Sequence, residues 1–116
     1  MASTERLRIG PFPMRVDERF TKGLDLFKRG EFFECHDVVK ELWLETDSED
    51  PYRNLYKGVI QAAAARYQLQ RGILSGARGL YQTSVAYLEK YRPEALGLNV
   101  DQFIQDLEKT FGDLKK

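Results

Sequence analysis

Apolar positions recur at the 3.6-residue period of a helix in five stretches, and no convincing period-two strand occurs between them. The first stretch runs from about Asp17 to Arg29, with Val16, Phe20, Gly23, Leu24 and Phe27 on one face; Gly30 follows as a C-terminal stop. The second runs from about Phe32 to Glu45, with Phe32, Cys35, Val38, Val39, Leu42 and Trp43 as its stripe. A polar loop, Thr46 to Pro51, comes next, and Pro51 suits the first turn of a third helix reaching to Gln70.

That third stretch has two apolar faces. Tyr56, Ile60, Ala63 and Tyr67 form one; Gly58, Ala62, Ala65 and Leu69 form the other, nearly opposite. A helix apolar on two sides is buried between neighbours, and its small residues let those neighbours come close. The fourth stretch spans about Leu74 to Tyr91, on the face of Ala77, Leu80, Tyr81, Ser84, Tyr87, Leu88 and Tyr91, and Pro93 marks its end. The fifth starts near Asn99, an N-cap with Gln102 three residues on as in a capping box. Its stripe is Val100, Phe103, Ile104, Leu107, Phe111 and Leu114. The expected fold is all-α: a compact bundle of about five helices, built from two antiparallel helical hairpins with a central buried third helix. Residues 1–15, with Pro11 and Pro13, read as an extended N-terminal arm, and residues 16–116 as a single helical-bundle domain.

Composition narrows the function classes. The 116 residues carry 18 Lys or Arg and 18 Asp or Glu, a formal net charge of +0, which argues against coating nucleic acid or an anionic membrane. No run of apolar residues is long enough to span a bilayer, so no membrane partner is expected. A single cysteine, Cys35, precludes an intrachain disulfide and points to a cytoplasmic protein. A single histidine, His36, precludes a multi-histidine metal site. No phosphate-binding glycine loop, GxSxG elbow or HExxH pair is present, so no catalytic residue, metal or cofactor is assigned.

A shift of 42 residues superposes the two glycine turns. Arg29-Gly30 falls on Arg71-Gly72, Phe32 on Leu74, Cys35 on Ala77 and Val38 on Leu80. This pattern of helix, glycine turn and second helix with an early small residue resembles the tetratricopeptide hairpin.

The densest polar cluster lies on the second helix. At 100° per residue, Glu34, Asp37, Glu41 and Glu45 share a narrow stripe, while His36 falls away from it toward Phe32 and Trp43. Adjacent helical residues diverge, so Glu-Cys-His-Asp is not a preformed metal cluster. Lys40, Arg53, Lys57 or Arg66 are expected to pair with the stripe. Cys35, within the apolar face, is expected to be buried and inert. Gln61 and Gln68 lie one above the other on the third helix beside Lys57, either exposed or lining a polar groove against the second helix.

Two segments, LFKRGEFFECHDVVKELW (Leu26 to Trp43) and GVIQAAAARYQLQRGILSGARGLYQTSVAYLEKY (Gly58 to Tyr91), resemble the signature of the domain-of-unknown-function family 309. The resemblance implies a small all-helical bundle with no assigned activity. It implies that Glu34, His36, Asp37, Glu41, Trp43, Gly58 and Gln61 lie near one seam between the second and third helices. Where the family usually has His-Glu, this chain has His36-Asp37, an acid of shorter reach. The expected function is a non-enzymatic interaction module for a protein partner or a second copy. The alternative is a small ligand-binding or metal-dependent enzyme using Glu34, His36, Asp37 and Glu41, with Trp43 and Gln61 completing the candidate seam. Convergence on a cavity would favour the alternative; pairing with Arg53, Lys57 or Arg66 would favour the module.

Overall fold

Both glycine turns close with the same backbone hydrogen bonds. The Gly30 N–H donates to Phe27 O (3.0 Å) and the Glu31 N–H to Leu26 O (2.9 Å); the Gly72 N–H donates to Leu69 O (3.0 Å) and the Ile73 N–H to Gln68 O (2.9 Å). Each glycine has positive φ, +79° and +77°, a conformation that a Cβ disfavours. The 42-residue echo is therefore a repeated Schellman motif. It ends α1 (Glu18–Lys28) before α2 (Phe32–Glu45), and α3 (Arg53–Gln70) before α4 (Leu74–Leu88). Cys35 and Ala77, equivalent in the echo, are both fully buried. Phe32 and Leu74 are not equivalent: Phe32 is buried, whereas Leu74 is 46% exposed.

The computed structural model describes residues 15–112. The expected arm, apart from Arg15, and Leu114 of the fifth stripe lie outside these residues. The architecture is an all-α bundle of five helices, as expected. Boundaries differ in detail. α3 begins at Arg53 because Pro51 and Tyr52 form a turn, and the last residues of the fourth stretch, Glu89–Tyr91, tighten into one 3₁₀ turn. The absence of strand is corrected by a minimal hairpin, β1 (Glu94–Ala95) against β2 (Leu98–Asn99), antiparallel with Ala95 opposite Leu98. Its two-residue turn places Leu96 at φ 49° beside Gly97 at φ 81°, a primed turn with an apolar residue where asparagine is usual. Packing of Leu96 against the core offsets that backbone cost. The hairpin hands the chain to α5 (Val100–Gly112), where Asn99 Oδ1 accepts from the Gln102 N–H at 3.0 Å. Only this half of the capping box forms, since the Gln102 side chain turns to Asp106 (2.9 Å).

The centre of the core is α3. Leu55, Val59, Ala62, Ala63 and Ala65 are fully sequestered from solvent, with Tyr56 and Ile60 nearly so. Leu55 and Val59 fall between the two faces read from the sequence, which joins those faces into one buried arc of roughly 220°. Phe20 of α1 meets Tyr56 (ring centroids 5.4 Å), and Tyr81 of α4 stacks on Phe111 of α5 (4.8 Å, 12°). Phe27 joins α1 to α5 through Phe103 (4.8 Å). α4 approaches α3 tightly at Gly58: a Cβ there would lie 2.6 Å from Leu88 Cδ2 and 3.3 Å from Tyr87 Cβ. The buried Ser84 hydroxyl donates to Gly58 O at 2.7 Å, tying the same two helices.

This contact separates two helical glycines by experiment. Gly58→Ala gains helix propensity of up to about 1 kcal/mol, yet overpacks at a typical cost of about 1–3 kcal/mol, so urea denaturation should show net destabilisation. Gly79→Ala, where a Cβ meets nothing within 4 Å, should stabilise by up to about 1 kcal/mol.

Candidate binding face on helices α2 and α3

The acidic stripe of α2 is held from an unexpected side. Arg19 of α1 lies 3.0 Å from Glu45, 3.6 Å from Glu41 and 3.1 Å from Asp17. The pairing expected from Lys40, Arg53, Lys57 or Arg66 is corrected. α1 packs along the α2 flank that carries these acids, with Gly23 against Val39, and Arg19 sits one turn before Gly23. The Arg19 hydrogen bond holds the Glu45 carboxyl below its usual range, and the same guanidinium does so for Asp17. Glu34 is exposed and apart from this cluster.

On the other flank α2 meets α3. Trp43 is half-buried, its Nε1 enclosed without a hydrogen-bond partner. Two cations of α3 rest on its ring: Arg53, with Cζ 4.3 Å from the centroid, and Lys57, with Nζ 4.2 Å away. Arg53 Nε also donates to Thr46 O (3.3 Å). Nearer the glycine turn, Arg66 covers Phe32 at 4.6 Å. Phe33 packs on Tyr67 (5.4 Å), and Arg71 lies over Tyr67 at 5.6 Å. Three cations expected to meet carboxylates therefore meet rings, a contact of about 0.5–2 kcal/mol each depending on desolvation.

Between the two ends of this seam is a cleft of about 190 Å³, lined by Phe33, His36, Ala64, Tyr67 and Gln68. His36 Nδ1 is 3.3 Å from Asp37 Oδ1. Gln68 Oε1 is enclosed without a hydrogen-bond partner, and Gln61 is half-buried two turns earlier on α3. The structure thus brings His36 to a cleft with Gln68, places Trp43 farther along the same seam, and turns Glu41 away to α1. No group of three His, Cys, Asp or Glu able to hold a metal exists among the described residues. A second cleft, about 300 Å³, lies between α1, the β-hairpin and α5, walled by Leu24, Phe27, Leu98 and Phe103, with Lys28 and Asp106 at its edge.

Sequence reading missed Phe33, 51% exposed, and the ring-seated cations of α3. A signal was present. From Tyr52 to Leu88 the chain has five Lys or Arg and no Asp or Glu, so α3 and α4 carry no carboxylate of their own to pair with.

Two predictions concern these groups. Depressed carboxyl pKa values stabilise the fold above the ordinary carboxylate range, and that gain is lost as pH falls through the lowered values. Wild type should therefore exceed Arg19→Gln in denaturation midpoint at pH 7, and the gap should close on acidification below about pH 4. Burial pushes the Cys35 thiol up to about 12. Its reaction with a thiol reagent at neutral pH should follow global unfolding; rapid labelling of the native protein would contradict this burial.

Comparison with known proteins bears on this face. The uncharacterized protein YpuF of Bacillus subtilis (strain 168) is 29% identical over an alignment of 87 residues, covering 73% of this chain and 49% of that protein. The chain thus spans about half the length of that curated relative. No solved structure gives a significant match. The family profile described as "Domain of unknown function (DUF309)" matches residues 20–80, more than half the chain, and takes in α2, α3 and the cleft between them. The chain belongs to the DUF309 family.

Proposed function

We propose that the protein is a non-enzymatic interaction module and that the α2–α3 seam is its binding face for a protein partner. The observation that carries this reading is the half-exposed Phe33 ring, which lines a cleft with His36, Tyr67 and Gln68. Exposed aromatic surface beside a cleft is what a partner's side chains would cover. Leu44, 64% exposed on α2, adds apolar surface. The repeated hairpin supports a tetratricopeptide-like relationship, an architecture suited to binding. The single cysteine supports a cytoplasmic setting. No described helix is long and apolar enough to cross a membrane.

A metal-dependent or ligand-transforming role through Glu34, His36, Asp37 and Glu41 draws less support. Arg19 engages Glu41 on one flank, while His36 lines a cleft on the other. A photo-crosslinking residue replacing Phe33, compared with the same residue replacing the exposed Gln82 of α4, tests the binding face in cells. Protein adducts concentrated at the first position are expected. Adducts at the second position alone, or at neither, would contradict the reading.

A further inference from the structure

We infer that the partner segment received by the α2–α3 face is an acidic peptide, recognised by Arg53, Lys57 and Arg71. This inference rests on the binding-face reading and names the chemistry of its occupant.

Charge distribution carries the argument. Three arginines outside the seam are answered by carboxylates: Arg19 by three, Arg29 by Asp25 and Glu31, and Arg92 by Glu89 and Asp101. Along the seam the cations rest on rings instead. No carboxylate lies within ion-pair distance of Arg53, Lys57 or Arg71 among the described residues. A ring contact orients a cation but leaves donors at its edge. A guanidinium on an aromatic face keeps its fork available for a carboxylate, the arrangement that gives bidentate recognition. Arg53 uses Nε for Thr46 O and keeps its terminal nitrogens.

Geometry sets the length and favours peptide over nucleic acid. Arg53 and Arg71 are eighteen residues apart on one helix flank, about 27 Å at the helical rise. An extended peptide of about eight residues covers that span. Phe33 lies between the ends as an apolar contact for one non-acidic side chain. A single-stranded nucleic acid would need open aromatic faces for its bases. Here the Trp43 ring already carries two cations, and Tyr67 is engaged by Phe33 and Arg71.

The test is fluorescence anisotropy of a labelled eight-residue peptide of Asp and Glu with one central Phe. It is run against the full-length protein, beside its Asn/Gln isostere and an eight-nucleotide oligouridine. Saturable binding of the acidic peptide is expected. Binding should weaken with salt and be lost in the isostere. It should also weaken on the order of tenfold in Lys57→Gln and in Arg71→Gln, each removing a charge-assisted bond. Arg71→Gln leaves the Trp43 contacts untouched, so an unchanged denaturation midpoint assigns its effect to binding. Emission from Trp43, the only tryptophan, should change on saturation because two of the recognising cations rest on it. No saturable binding, equal binding of the isostere, or tighter binding of oligouridine would overturn the inference. Adducts at Phe33 without acidic-peptide binding would overturn this chemistry and leave the binding face standing; failure of both would remove both.

Discussion

Helix α3 is enclosed over more than half its circumference, so several neighbours must approach one rod at once. That is possible only where side chains are small. Gly58 admits Leu88, the fully buried Ala62, Ala63 and Ala65 keep the neighbouring surfaces close, and Ser84 bonds to the Gly58 carbonyl. A larger residue at these positions separates helices and forfeits contacts on both sides, because packed interiors have little slack. The two Schellman turns then fix where α1 meets α2 and where α3 meets α4. A bond from Gln70 to Gly30 O (3.3 Å) links the turns to each other.

The same enclosure decides what remains for function. Once α3 has buried its wide arc, the open strip carries Arg53, Lys57, Gln61, Ala64, Gln68 and Arg71, all half-buried or exposed. α2 supplies the facing residues Phe33, His36 and Trp43. α2 is thus sorted by charge: on the α1 flank its acids Glu41 and Glu45 are paired by Arg19, and on the α3 flank cations lie on rings. A chain of zero net charge therefore presents two differently charged sides, which the total does not reveal.

Much of this was legible in the sequence, for a physical reason. Helix period, glycine stops and the Asn99 cap are local, and the 42-residue echo repeats local backbone geometry. Central placement of α3 follows from its two apolar faces and small residues. The seam was legible as a place, through His36, Trp43 and Gln61. Its pairings were not, because a side chain's partner depends on which helix packs on which flank. Arg19 reaches Glu41 and Glu45 from 22 and 26 positions away, and nothing local announces that. The hairpin at Glu94–Asn99 escaped because two-residue strands have no readable period and Leu96 is not a usual residue at positive φ.

The central claim is that α3 is the element on which the others depend. Native-state hydrogen exchange tests it most directly, since each amide reports the opening that exposes it. The amides of Val59, Ile60, Ala62, Ala63 and Ala65 should exchange only through global unfolding. Their opening free energy should match that from denaturation, with α1 and α5 exchanging through smaller openings. Protection that is greater in α1 or α5 than in α3 would contradict the account.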